Sequence, residues 1–268
     1  MSRPNILAST VRSLARALSR ALVSEDIARE RGLLQSLDPR VRVIGVAAML
    51  VTIALLHKLV VVVAVFVVAA LLGLASAVTV RTLALRVWLV AFAFTGVIAL
   101  PALFVTPGEP ISGASAVTRQ GLNAALMLVA RVEAAVTLTT VLVLTTPWAQ
   151  LLKALRSLGV PKEAAMMLAM THRYIFLLAE TATQMFESRE SRRVGVLRGR
   201  EHRRLVTQTA GVLMGKSIDL SHEVFLAMQS RGYRGEVHVL SEQRMTAPDY
   251  CLLAMFLAFS VLAIWVGR

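Results

Sequence analysis

Five apolar stretches along the chain have about the length that a membrane-spanning helix needs. An α-helix rises about 1.5 Å per residue, so about 20 residues cross a hydrocarbon layer of roughly 30 Å. Polar or charged residues interrupt the chain between the stretches. The pattern predicts five transmembrane helices, at about residues 41–57, 59–80, 87–105, 119–146 and 247–266.

The region between the fourth and fifth stretches has a different, amphipathic pattern. Trp148, Leu151, Leu155 and Leu158 recur on one helical face, and Gly159 follows them. This helix is too short to span a bilayer, and we expect it to lie flat on the cytoplasmic surface, with Thr146 as its cap and Pro147 as its first residue.

Two long amphipathic helices are predicted next, at about residues 161–191 and 203–230. The face opposite the apolar stripe of the second helix carries Lys216, Asp219, His222 and Glu223. Apolar or small residues that recur at steps of three and four are typical of a helix with one packed face. The apolar stripe of the second helix has these steps and consists of Val206, Ala210, Leu213, Ser217, Leu220, Val224 and Ala227.

Together these elements predict an all-α integral membrane protein. Residues 1–36 form an N-terminal amphipathic segment at the membrane interface, and residues 37–146 form a membrane domain with four spans. Residues 147–245 form a cytoplasmic helical domain, and residues 246–268 form the last transmembrane helix. The start of the first span is marked by Asp38 as N-cap and Pro39 in the first helical position.

Composition and charge agree with a membrane location. The mean hydropathy of the 268-residue chain is +0.68, which a soluble domain of this length rarely reaches. The net charge of +13 is explained by Lys and Arg in cytoplasmic loops, so we expect a cytoplasmic N-terminus and no nucleic-acid partner. Cys251, the only cysteine, lies in an apolar run and is expected to be buried.

Candidate chemistry along the chain is sparse. Arg131 and Glu133 lie inside the fourth predicted span, where charge is costly. They either line a transport path, or they face other helices or lie near the outer interface, and the second interpretation is favoured. The sequence shows no phosphate-binding loop, catalytic triad or metal-ligand cluster, so we expect no enzymatic activity, no cofactor and no metal site.

Both long helices are predicted to end in a small residue followed by arginine. The first ends at Ser191, Arg192 and Arg193, and the second at Ser230, Arg231 and Gly232. Arginine is favourable at the C-terminus of a helix, where the helix dipole is negative, and this alone would explain a single helix that ends in arginine. Its five-donor fork also binds carboxylates and carbonyls, and two such ends favour docking onto a partner.

Four features in this order resemble one family. They are "GLLQSLDPRVR", "LTTPWAQLLKALRSLGVP", "MTHRYIFLLAE" and the paired Ser-Arg ends. The chain resembles the transmembrane T component of energy-coupling-factor transporters, most closely the CbiQ type of cobalt and nickel systems. The family pattern is commonly Ala-Arg-Gly, whereas both first positions here are serine and Arg193 replaces the first glycine.

The resemblance implies a non-catalytic scaffold in the cytoplasmic membrane of a bacterium or archaeon. Such a scaffold joins two cytoplasmic ATPase subunits to a substrate-binding S component, similar to CbiM where the substrate is cobalt or nickel. Its two long coupling helices would cross, and their arginine ends, at residues 191–193 and 230–232, would dock into the ATPases. The alternatives are a stand-alone permease that uses Arg131 and Glu133, and a membrane-anchored assembly or signalling protein.

Overall fold

A computed structural model describes residues 32–76, 80–105, 118–192, 199–234 and 245–267. Each element of regular structure in these ranges is a helix, which confirms the all-α fold class. The interfacial helix predicted near the N-terminus, within residues 1–31, lies outside the described residues. The described chain divides into two compact units, which we treat separately.

The six-helix unit contains the described residues up to Leu158 together with those from Met245 onward. Helix α3 is built from three consecutive segments, Val80–Leu83, a π-helical turn Ala84–Trp88, and Leu89–Val105. The other helices are α1 Pro39–Leu55, α2 Leu59–Ala75, α4 Arg119–Thr145, α5 Trp148–Ser157 and α8 Ala247–Gly267.

Several predicted boundaries need correction. Helix α2 ends at Ala75, not near residue 80, and the Ser76 hydroxyl donates to the Leu72 carbonyl at its last turn. Helix α3 begins at Val80 rather than 87, because the arginines at its start occupy helical positions instead of preceding them. Pro147 is the N-cap of α5, not its first helical residue, whereas Asp38 and Pro39 cap and open α1 as predicted.

Helix α4 lies at the centre of this unit and packs against α1, α2 and α3, while α5 and α8 pack against α1. A Cβ atom on Gly73 would lie 2.9 Å from the Val141 side chain, so glycine permits the close approach of α2 to α4. The core is aliphatic and includes Val41, Met49, Ile53, Leu56, Val62, Val65, Ala69, Leu138 and Val141.

The outer surface of the six-helix unit is also apolar. Phe94 is 72% exposed, Val60 80% and Trp265 81%, and soluble proteins rarely expose so many large apolar side chains together. Two of the helices, α4 and α8, are long and apolar enough to cross a membrane by themselves, and apolar α2 is shorter. The prediction that Cys251 is buried is wrong, because it lies on the exposed face of α8.

The helix-pair unit consists of α6, Lys162–Ser191, and α7, Gly199–Ser230. Helix α7 begins four residues before the predicted start. Its covered stripe is right at the centre and shifted at both ends, where Leu205, Thr209 and Met228 replace the predicted Val206, Ala210 and Ala227. Thr209, whose hydroxyl donates to the Leu205 carbonyl, is only 1% exposed.

Candidate functional site

Each long helix ends at the serine that the sequence indicated. Ser191 is the last residue of α6 and Ser230 the last residue of α7, and both are exposed. Their hydroxyls donate to the carbonyl oxygens three residues earlier, at 3.0 and 2.9 Å, and so remain within their own helices. Arg192 and Arg231 follow directly and are also exposed, whereas Arg193 lies outside the described residues.

The end of α7 has the geometry of a Schellman cap. Gly232 has a φ of +84°, a left-handed conformation that glycine adopts without strain. Its N–H donates to the Gln229 carbonyl at 2.9 Å, and the Tyr233 N–H donates to the Met228 carbonyl at 3.0 Å. These bonds fix the backbone around Arg231, which therefore projects from a defined corner.

The two arginine ends are not brought together. The Tyr233 hydroxyl lies 3.3 Å from the Met166 sulfur, so the end of α7 contacts the beginning of α6. Arg192 follows Met166 by about 26 residues, or roughly 39 Å at the helical rise of 1.5 Å per residue. The helix-pair unit thus presents two separate arginine ends rather than one combined site.

An apolar groove of about 650 Å³ runs between the first half of α6 and the second half of α7. Four of its lining residues are methionines, whose flexible side chains suit a surface that repacks against a partner. One of them, Met167, is 70% exposed. The lining includes Met166, Met167, Met170, Tyr174, Leu220, Val224, Phe225, Met228 and Tyr233.

Arg131 and Glu133 are directed toward the protein rather than toward lipid. Arg131 Nη2 donates to the Leu56 carbonyl at 2.6 Å, just beyond the end of α1. Glu133 is only 8% exposed, and neither of its carboxylate oxygens has a hydrogen-bond partner among the described residues. The burial of Glu133 agrees with the interpretation that it faces other helices, and the choice between that interpretation and a transport path stays a prediction.

Sequence reasoning missed a buried residue that, within the described ranges, makes extensive polar contacts. Arg42, in the first turn of α1, is 3% exposed. Nε and Nη2 donate to the Leu37 carbonyl at 3.1 and 2.7 Å, and Nη1 donates to the Thr145 carbonyl at 2.7 Å. Weaker contacts reach Thr146 Oγ1 at 3.3 Å and Gln150 Oε1 at 3.4 Å, and Nη2 reaches the Gln35 carbonyl at 3.2 Å. We call this group the Arg42 node.

A second buried contact joins the start of α1 to the start of α8. The Asp38 backbone N–H donates to Asp249 Oδ1 at 3.0 Å. Asp249 Oδ2 accepts from the N–H and the hydroxyl of Thr246 at 2.9 and 2.6 Å, which caps α8. The only sequence signal for either contact was that Asp38, Arg42 and Thr145 belong to the runs "GLLQSLDPRVR" and "LTTPWAQ".

Comparison with known proteins places these features in a family. Residues 30–240, which contain both arginine ends and the Arg42 node, match the CbiQ cobalt transport protein family. An uncharacterized protein of Methanocaldococcus jannaschii is 27% identical over 266 residues, covering 97% of this chain and 91% of the relative.

Other relatives carry functional names. The energy-coupling factor transporter transmembrane protein EcfT of Leuconostoc gelidum is 30% identical, over 67% of this chain and 72% of the relative. The cobalt transport protein CbiQ of Rhodobacter capsulatus is 31% identical, over 54% of this chain and 59% of the relative. The fold and these matches define a membrane component of an energy-coupling-factor-type transporter. The chain belongs to the CbiQ cobalt transport protein family.

Proposed function

We propose that this chain is the membrane scaffold of an energy-coupling-factor importer, and that it connects two cytoplasmic ATPase subunits to a substrate-binding S component. The observation that carries the proposal is the pair of exposed Ser-Arg helix ends, which lie at opposite ends of one helix-pair unit. Two well-separated ends of the same chemistry suit two similar partner subunits better than a single ligand.

Each end is suited to a groove rich in acidic side chains or free carbonyls. The guanidinium group offers five N–H donors in a fixed plane, and the serine before it keeps the corner small. At the α7 end, the left-handed turn at Gly232 fixes the direction of Arg231. Arg192 would occupy the second ATPase in the same way, and Arg193 would add a second positive charge there.

Coupling would then be mechanical. When ATP closes the ATPase pair, the two docked ends move, and the long helices carry that motion toward the S component. The α6–α7 groove offers an apolar, methionine-lined surface on the same helices, which suits contact with the S component. ATP hydrolysis belongs to the partners in this proposal, and the scaffold itself is not an enzyme.

The substrate is proposed to be cobalt or nickel ion, on the strength of the family and of the relative named as a cobalt transport protein. The proposed location is the cytoplasmic membrane of a bacterium or archaeon, with a cytoplasmic N-terminus and five spans. The S component, rather than this chain, is expected to bind the ion.

Co-purification tests the docking proposal. The double variant Arg192→Ala plus Arg231→Ala should insert normally but lose most of the co-purifying ATPase. The matched control is Arg173→Ala plus Lys216→Ala, which removes two exposed cations from the interiors of the same helices. Equal ATPase recovery with the two double variants would contradict the proposal.

A further inference from the structure

The chain leaves the six-helix unit after Leu158 and re-enters it before Met245. We call these two points the crossings. The helix next to each crossing is hydrogen-bonded to the same short segment, the first turn of α1. Helix α5, which precedes the first crossing, is joined to Arg42, and helix α8, which follows the second, is joined to Asp38. Asp38 and Arg42 are one helical turn apart.

The attachment of α5 at this point combines a short, buried hydrogen bond to the end of α4 with a longer, partly buried one to α5 itself. The Thr145 carbonyl belongs to the last turn of α4, where carbonyls have no partner within the helix, and Arg42 supplies one. Arg42 also reaches Gln150 in the first turn of α5. Helix α5 itself lies against α1, with Leu152 7% and Ala154 1% exposed.

The attachment of α8 has hydrogen bonds of its own and shares none with Arg42. Asp249 accepts the Asp38 N–H through one carboxylate oxygen and caps α8 through the other. Asp38 in turn accepts the Arg40 N–H at 2.8 Å and caps α1. A displacement of α5 or of the start of α8 would therefore be transmitted to the same turn of α1.

Stability alone does not call for a buried guanidinium at this position. The aliphatic core already packs α1 against α2 and α4, and well-packed apolar residues often replace a buried charge without loss of stability. What a planar, five-donor group adds is a fixed geometry among several elements at once.

We infer that the first turn of α1, through Arg42 and Asp38, is the anchor that transmits the motion of the coupling helices to the membrane helices. Arg42 is thus a positioning residue for energy coupling, and the inference rests on the function proposed above. Without this anchor the complex still assembles and hydrolyses ATP, but less of the motion reaches the membrane helices.

The test compares Arg42→Lys with Arg40→Lys in the complete complex in proteoliposomes. Lysine keeps the charge but cannot bind the Leu37 and Thr145 carbonyls as a fork. At equal amounts of assembled complex, Arg42→Lys should lower the ratio of substrate imported to ATP hydrolysed by at least about five-fold. Arg40, whose backbone N–H makes the Asp38 contact, is the matched control and should leave the ratio unchanged.

An unchanged ratio in Arg42→Lys overturns the inference. If Arg42→Lys does not assemble, the double variant Thr146→Val plus Gln150→Leu decides, since it removes both side-chain acceptors through which Arg42 reaches the start of α5. A lowered ratio in this double variant supports the anchor, and an unchanged ratio overturns it. Absence of ATP-driven import in the unmodified complex would instead refute the proposed function, and the anchor with it.

Discussion

Arg42 Nη1 lies 2.7 Å from the Thr145 carbonyl oxygen, although 103 residues separate the two along the chain. The contact joins the beginning of α1 to the end of α4, and α5 begins three residues after Thr145. The position of α5 is therefore tied to the first turn of α1.

Asp249→Asn should destabilise the six-helix unit. Asp249 accepts three hydrogen bonds through its two oxygens, whereas the asparagine amide nitrogen cannot accept any. The donors left unpaired, which are the buried Asp38 N–H or the partly buried Thr246 groups, should cost roughly 2 kcal/mol. Thermal unfolding of the detergent-solubilised protein measures this as a lowered Tm. Asp219→Asn, an exposed control on α7, should leave the Tm unchanged, and equal Tm values for the two variants would contradict the account.

Two glycine substitutions, one within α7 and one just beyond its end, should act in opposite directions. Gly232→Ala forces a side chain into a left-handed conformation with φ of +84°, which costs about 1–2 kcal/mol. Gly215→Ala lies within the helix, where an added Cβ meets no atom within 4 Å, and should stabilise by roughly 0.5–1 kcal/mol. Unfolding of each variant by guanidine or by heat gives the sign of the change in the free energy of unfolding. A stabilising effect of Gly232→Ala would show that the Schellman cap at Arg231 is not formed.

Met167→Glu should weaken association with the S component while leaving ATPase recovery unchanged. Met167 is 70% exposed and lines the α6–α7 groove, so a carboxylate there would have to be desolvated in an apolar contact. Met214 is 64% exposed but does not line the groove, which makes Met214→Glu the matched control. Co-purification of the S component measures both. If Met214→Glu were the more harmful variant, the partner surface would lie elsewhere on α7.

Glu133→Gln should preserve both assembly and ATP-driven import. The Glu133 carboxylate is buried in α4, and no described residue bonds to it, so replacing it with a neutral side chain of the same shape removes no observed contact. Uptake assays with the assembled complex test this. Import that is lost while ATPase and S component still co-purify would instead favour a transport path through α4, as a stand-alone permease requires.

Local signals in the sequence were sufficient for the presence of the helices and for some of their ends. The Asp38–Pro39 cap, the stop at Gly232 and the two Ser-Arg ends each depend on residues close together in the chain, and the structure places them as predicted. The docking role of those ends stays a prediction, because only the geometry of the chain itself is seen.

Long-range features could not be read in this way. Nothing near Arg42 in the sequence indicates that its acceptors lie in the "LTTPWAQ" run. Burial of Cys251 was predicted wrongly because a helix in lipid is apolar on both its packed and its outer faces, so hydrophobicity does not mark the inner one. In α7 the predicted stripe was displaced by one residue at each end. Small and apolar residues lie next to each other there, so the spacing alone does not decide which of two neighbours is covered.

Site-specific cross-linking tests the central claim most directly. With Cys251→Ser as a cysteine-free background, a photo-activated maleimide probe is attached to Ser191→Cys, Ser230→Cys or the interior control Lys216→Cys in the assembled complex. The account predicts that both helix-end positions cross-link to ATPase subunits and that the control does not. Cross-linking at the helix ends no stronger than at Lys216→Cys would contradict it.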